Sequence, residues 1–199
     1  MSGVSVLILT KDEEKDLPGC LSSVAWCDDV HLVDSLSGDR TVQIAENFGG
    51  TVTARKFDNW ASDQNWGPAN IPFKNEWVLY IDADERVTPE LARAVRNVTA
   101  RAPNEVAFKI RRRDFVGGRW LRHVKVSPFY VRLFKPAHIR YDRVVNPVAI
   151  VDGQVGRLAG FLNHYPFSKG ISHPISKYSK LNVKMMHRYV ESRLWSGEG

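Results

Sequence analysis

The sequence predicts an α/β fold, a mixed sheet flanked by helices with a basic C-terminal region added to it. Three observations predict it. Short apolar, β-branched runs alternate with helical patterns through the first half. Beyond residue 108 the segments become short, basic and aromatic, as expected of mixed or antiparallel strands added to one side of a sheet. Charge divides at the same point. Residues 1–108 carry 10 Lys and Arg against 17 Asp and Glu, net −7, whereas residues 109–199 carry 18 against 5, net +13.

The elements follow in order. Val4–Thr10 reads as a buried strand, continuous and β-branched. Leu17–Trp26 reads as a helix with Pro18 in its first turn, where a missing N–H costs nothing. Val30–Asp34 is a second strand. Thr41–Phe48 is a helix with Ile44, Ala45 and Phe48 on one face, closed by Gly49-Gly50. Thr51–Arg55 is a third strand, Ala61–Trp66 a short helix and Trp77–Asp82 a fourth strand. Thr88 caps the next helix with Pro89 at its first position, and Leu91, Ala94, Val95 and Val98 form its apolar stripe. Val106–Arg111, Arg119–Leu121, Phe129–Phe134, Val144–Val151 and Ala159–Asn163 read as further strands. Residues 175–195 read as an amphipathic helix with Ile175, Tyr178, Leu181, Met185, Tyr189 and Val190 near one face and Lys and Arg on the others. The chain thus divides into 1–108, 109–170 and a tail at 171–199.

Three strands of the first half end in polar or acidic residues: Thr10, then Asp34-Ser35, then Asp82-Ala83-Asp84-Glu85. Parallel strands put their carboxyl ends on one rim, where ligands bind at a topological switch point. Asp82 and Asp84, at i and i+2 past a buried strand, suit Mg²⁺ or Mn²⁺, ions held by one or two carboxylates plus substrate phosphates. A solvated acidic turn capping the next helix is the competing reading. Asp34 suits a base N–H or a ribose hydroxyl, or a turn; Asp39 suits a helix cap before Thr41.

Other classes are excluded by what the chain lacks. No Gly-x-Gly-x-x-Gly follows the first strand, and Lys11-Asp12-Glu13-Glu14 would repel a pyrophosphate there. There is no Walker loop, no Gly-x-Ser-x-Gly and no His-x-x-x-His pair. No apolar run reaches the roughly 18–20 residues that span a bilayer, and Val4–Leu9 leads straight into acidic residues, unlike a signal peptide. Cys20 and Cys27 read as thiols of a reduced compartment.

Taken together, Ser5–Thr10 with Lys11-Asp12-Glu13-Glu14, the Asp34-Ser35-x-Ser37-x-Asp39 loop, Asn59-Trp60-Ala61 with Gln64-Asn65, and Asp82-Ala83-Asp84-Glu85 resemble inverting family 2 glycosyltransferases of the GT-A (Rossmann-like) fold. Within that family the chain is most similar to bacterial enzymes of lipopolysaccharide-core and exopolysaccharide assembly. The resemblance continues through Arg111-Arg112, Gly118–Leu121, Arg132-Leu133-Phe134 and Val155-Gly156-x-Leu158 to His164.

The resemblance implies roles. Thr10, Glu13 and Asp34 would line a nucleotide pocket and Asn65 would help position the donor. Asp82 would contact ribose or metal, Asp84 would hold Mn²⁺ or Mg²⁺ against the donor diphosphate, and His164 would approach that ion. Residues 1–108 would then bind a nucleotide-diphosphate sugar, and 109–170 would form the acceptor side of the same domain. A lipid-linked or anionic glycan acceptor would be drawn to Arg111–Arg113, Arg119, Arg122 and Lys125. The expected place is cytoplasmic, peripheral to the inner face of the membrane, with no nucleic acid bound.

The chain departs from the pattern at two points: Pro128-Phe129 stands where relatives commonly have Pro-Asp, and Asn146-Pro147 where they have His-Glu. The Glu of that pair is the usual base. Of the five carboxylates beyond residue 108, Asp114 is the first candidate for it and Asp142 the second, although arginines beside Asp114 would weaken it as a base. The rivals are a donor-binding homologue that does not transfer, a sugar nucleotidyltransferase, which would need a Gly-rich loop and a Lys after the first strand, and a nucleic-acid-binding module on the basic half.

Overall fold

A computed structural model describes residues 3–116, 118–122, 128–143 and 147–166. Strands β1 (Val4–Thr10), β2 (Val30–Asp34), β3 (Thr51–Ala54) and β4 (Trp77–Asp82) lie parallel in the order β3-β2-β1-β4. The sheet continues past residue 108 without a break. β8 (Phe129–Phe134) pairs antiparallel with both β4 and β6 (Ala107–Val116), and β11 (Val155–His164) runs parallel to β6. β5 (Glu85–Val87) closes the far edge on β11, and β7 (Arg119–Trp120) hangs on β6, making nine strands. β9 (Ile139–Asp142) and β10 (Val148–Val151) form a separate antiparallel pair.

Alternation along β1 builds two cores, one on each face of the sheet. Val4, Val6 and Ile8 face helices α1 (Leu17–Ser23) and α4 (Pro89–Thr99), packing with Leu17, Leu21, Leu91 and Val95. Leu7 faces the other way, with Val33, Val78, Tyr80 and Phe134, beside α3 (Trp60–Asn70). Gly67 of α3 lies where a Cβ would come 2.6 Å from Leu7 Cδ2, so the helix rests on β1 through a bare backbone. Helix α2 (Thr41–Asn47) completes the set.

The sequence locates the parallel strands correctly, and its differences from the structure have local causes. α1 stops at Ser23 because side chains consume its last carbonyls: Ser23 Oγ donates to Cys20 O at 2.7 Å and Trp26 Nε1 donates to Ser23 O at 3.1 Å. α3 runs on through Pro68 to Asn70, since packing of Gly67 on the sheet outweighs the local breaker. Thr88 caps α4 by accepting from Leu91 N at 3.3 Å; Leu91, Ala92 and Val95 are its buried residues, and Ala94 is only half-buried. Both cysteines are free, and burial pushes the Cys20 thiol up. Asp152-Gly153, which resembles a hairpin turn, instead joins β10 to β11, strands of different sheets. β5 and β9 escape the sequence reading because three or four residues carry too little alternation. The tail helix, the 171–199 segment, Lys125 and Asn146 lie outside the described residues.

The register of β11 on β6 shifts between Arg157 and Phe161, and Gly160 sits there at φ +89°. A Cβ at this glycine would lie 2.6 Å from Leu91 N and 2.7 Å from Leu91 Cα, at the start of α4. Gly160→Ala should therefore cost about 2 kcal/mol or more in urea unfolding, while Gly38→Ala, with nothing within 4 Å of its Cβ, should be near neutral. Equal melting curves for the two would remove this account of the α4–β11 joint.

Candidate active site

The parallel register places the expected residues side by side. Thr10 pairs with Asp34 across β1 and β2, and Leu9 pairs with Asp82 across β1 and β4. Because β2 and β4 lie on opposite sides of β1, the sheet order reverses here, which is the switch-point crevice. Asp34 and Asp82 are thus two strand spacings apart on one rim, about 10 Å.

Asp34 is nearly fully buried and organises two loops. Its Oδ1 accepts from Thr10 Oγ1 at 2.8 Å and Ser37 Oγ at 2.6 Å, and its Oδ2 accepts from Ser37 N at 2.7 Å. The loop after β1 is then laced to the loop after β2. Lys11 Nζ donates to Leu36 O, Asp12 N to Ser37 Oγ, Gly38 N to Asp12 Oδ1, Glu13 N to Thr41 Oγ1 and Glu14 N to Asp39 Oδ2, all between 2.7 and 3.1 Å. Asp39 also accepts from Thr41 N, but it stands one residue before Arg40, which caps α2, so it is not the cap that the sequence suggests. Asp12 and Leu36 hold positive φ, 53° and 60°, strain that the lacing over-determines. Glu13 is buried, and its carbonyl accepts from Leu17 N to start α1.

The centre of the rim is a charge cluster around Arg132. β8 carries one extra residue against β6 between the Leu133–Phe108 and Val131–Lys109 pairs, and that residue is Arg132. A bulge of this kind re-aims a side chain. Arg132 Nη2 reaches Asp82 Oδ2 at 2.8 Å and Glu85 Oε1 at 3.0 Å, and its guanidinium lies over the Tyr80 ring at 4.6 Å. Glu85 is completely buried, and its Oε2 accepts from Asp82 N at 3.0 Å. Tyr80 Oη donates to Asp82 Oδ1 at 2.7 Å and is itself reached by Gln64 Nε2 at 3.3 Å. Burial opposes ionisation of Asp82, but the Arg132 charge and the Tyr80 hydroxyl outweigh it and hold the carboxyl at about 2. For Glu85 burial wins, and its pKa is raised.

A second cluster adjoins it. His164 ends β11, in register with Asp114 of β6 and with Glu85 of β5. Its Nδ1 lies 2.8 Å from Asp114 Oδ1 and its Nε2 lies 3.4 Å from Asp84 Oδ2. Burial disfavours the imidazolium, but the two carboxylates more than compensate and lift its pKa to about 9. Arg112 adds its guanidinium, with Nε 3.2 Å from Asp114 Oδ1 and Nη1 3.9 Å from Glu85 Oε1.

Of the expected residues, Thr10 and Asp34 come together, as do Asp84, Asp114 and His164. Others are placed differently. Asp82 turns its oxygens to Tyr80 and Arg132, not toward the Asp84–His164 pair. Asp114, first candidate for the base, is engaged by His164 and Arg112. Asn65 clamps the backbone of Tyr141: its Oδ1 accepts Tyr141 N at 2.7 Å and its Nδ2 donates to Tyr141 O at 2.8 Å. On β9, Tyr141 takes the buried position beside Tyr80, and Asp142 is exposed, accepting from Arg143 N at 2.7 Å. Sequence reasoning missed Arg132, Glu85, Tyr80, Gln64 and Tyr141 as site residues. Arg132, Glu85 and Gln64 stand in strings that carry the resemblance, Arg132-Leu133-Phe134, Asp82-Ala83-Asp84-Glu85 and Gln64-Asn65, but no role was read for them; Tyr80 and Tyr141 carry no signal.

The donor set bears on a metal. Among the described residues no three His, Cys, Asp or Glu side chains form a metal cage. Asp84 Oδ2 with His164 Nε2 is a two-ligand set, one hard oxygen and one imidazole nitrogen. Once an incoming ion displaces the Nε2 proton that the two carboxylates hold on His164, the set fits a divalent ion that completes its sphere from phosphate and water.

Comparisons with known proteins agree with this architecture. Residues 5–161 match the family described as Glycosyl transferase family 2. An uncharacterized glycosyltransferase of Rickettsia bellii is 35% identical over 98 residues, covering 49% of this chain and 33% of that protein. The lipopolysaccharide core biosynthesis glycosyltransferase LpsC of Rhizobium meliloti is 25% identical over 199 residues, covering 95% of this chain and 72% of that protein. The chain spans about a third of the length of the Rickettsia relatives it matches. Among solved structures, S. aureus TarS superposes with a TM-score of 0.56 at 17% identity, covering 84% of this chain and 38% of that one, which speaks for the fold. Sheet order, rim and match over residues 5–161 lead to one conclusion: the chain belongs to glycosyl transferase family 2.

Proposed function

We propose that this protein is a metal-dependent, inverting glycosyltransferase that moves a sugar from a nucleotide-diphosphate donor to a lipid-linked bacterial surface glycan. It would work peripherally at the cytoplasmic face of the membrane; among the described residues no helix is long and apolar enough to cross one. The observation that carries the reading is the gathering of Thr10, Asp34, Asp82, Asp84 and His164 on one rim at the switch point. TarS residues 1–349 were captured with UDP-GlcNAc on a related fold, and LpsC is named for lipopolysaccharide core synthesis, which supports the donor and acceptor classes.

In this reading the laced loops after β1 and β2 receive the nucleoside, with Asp34 at the floor. Asp82, whose side chain is 37% exposed, offers its free edge to the ribose. Asp84 and His164 would hold Mn²⁺ or Mg²⁺, which when bound neutralises charge on the departing diphosphate. Asp114 fixes the tautomer and direction of His164, as an outer carboxylate does for a ligating imidazole. The acceptor hydroxyl loses its proton to a carboxylate and attacks the anomeric carbon in line. The bond to the diphosphate oxygen breaks and the pair of electrons leaves on it. With Asp114 committed to His164, the exposed Asp142 becomes the candidate base. Arg132 acts through Asp82 and Glu85, keeping both oriented at the crevice.

Three outcomes check this. Binding of UDP, GDP and CDP, each with and without Mn²⁺, should show one nucleotide bound at least about tenfold tighter with the ion. Asp84→Asn and His164→Ala should lose that increment; wild-type affinity unchanged by EDTA would remove the metal from the mechanism. Asp142→Asn should cut turnover by about 100-fold or more with donor binding intact, whereas Asp114→Asn should weaken Mn²⁺ binding instead; full turnover in Asp142→Asn rejects it as base. Arg132→Met, which strands a buried carboxylate, should cost about 3–5 kcal/mol of stability, and Arg132→Lys should regain stability more than turnover.

A further inference from the structure

The second half holds a group of basic side chains that the site does not use. Residues alternate across β6, so Ile110 and Arg112 face the α1/α4 side and the site, whereas Lys109 and Arg111 face the opposite side of the sheet. Arg111 is in register with Phe129 on β8, and Lys109 with Arg157 on β11. All four side chains are exposed. The Arg111 guanidinium lies 5.3 Å from the centroid of Phe129 and that of Arg157 lies 5.1 Å from it, so one exposed ring orders two arginines. None of Lys109, Arg111 and Arg157 ion-pairs with a carboxylate among the described residues. On the acidic half, by contrast, exposed Lys11 and Arg40 pair with Asp12 and Glu14.

Uncompensated cations on three adjacent strands form a flat surface and not a cleft. Guanidinium forks match phosphate oxygens, and an aromatic ring held between them suits the boundary of a bilayer, where its apolar body enters and the cations stay with the headgroups. An oligonucleotide uses the same pairing of ring and guanidinium, and the vesicle experiment below separates the two. We propose that this face, carrying Lys109, Arg111, Phe129 and Arg157, is the surface by which the protein sits on an anionic membrane. Arg111 and Phe129 lie toward the rim where β6 ends. The proposal rests on the reading of a lipid-linked acceptor.

Sedimentation of the full chain with vesicles tests it, using phosphatidylcholine alone and phosphatidylcholine enriched in phosphatidylglycerol. Wild type should bind the anionic vesicles and not the neutral ones. Arg111→Gln/Arg157→Gln should lower that binding by about tenfold or more, with an unchanged melting temperature. Phe129→Ser should weaken it while leaving its salt dependence in place. Wild-type binding with no loss in the double variant would overturn the face but leave the membrane reading standing. No wild-type binding to either vesicle would overturn both. An oligonucleotide that binds wild type and displaces it from vesicles, with the same loss in the double variant, would reassign the face to nucleic acid and overturn the proposal.

Discussion

Arg132 is the constraint on which the rest of the site depends. It is a buried guanidinium shared between a rim carboxylate, Asp82, and a completely buried one, Glu85. Burying the Arg132–Glu85 pair is unfavourable unless the charges are met, and here Arg132 Nη2 meets both Glu85 and the partly exposed Asp82, while Arg132 Nε stays unsatisfied. Glu85 returns the favour to the backbone by accepting from Asp82 N, which fixes the turn Asp82-Ala83-Asp84-Glu85. That turn in turn sets where Asp84 points, and the carbonyl of Asp84 accepts Tyr165 N, so β11 is drawn to the same place. Remove the guanidinium and the direction of both rim carboxylates is lost, even though neither reaches it through sequence proximity.

The β1–β2 side of the crevice is built differently. Its frame joins two loops: hydroxyls and backbone N–H groups of the loops after β1 and β2 meet three carboxylates, Asp12, Asp34 and Asp39. This explains the residue types of the Asp34-Ser35-x-Ser37-x-Asp39 string without appeal to a ligand. Each acid satisfies an N–H that the loop would otherwise leave open. The string therefore encodes a preformed pocket first and a contact surface second.

Much of this was legible in the sequence, and the limits are physical. β1, β2 and β4 are buried on both faces, so they read as continuous apolar runs whose ends are plain, and Thr10, Asp34 and Asp82 mark those ends. Parallel pairing then brings them together by geometry alone. Arg132 was not legible as a site residue because its direction comes from a bulge, a property of register between β8 and β6 and not of either strand. The family resemblance assigns Asn65 to the donor, whereas its two hydrogen bonds go to the Tyr141 backbone, a partner 76 positions away. Asp114 and His164 were singled out separately, and only the parallel β6–β11 pairing made them neighbours.

The Asn65–Tyr141 clamp has a consequence for how such proteins diversify. Among the described residues the β9–β10 ribbon shares no strand pairing with the main sheet, and the Asn65 amide on α3 fastens its backbone. Lengthening or rewriting that ribbon beyond Asp142 leaves every ladder of β1 to β4 intact. Under the function proposed above, descendants can then explore new recipients for the sugar while inheriting an unaltered apparatus for handling its activated form.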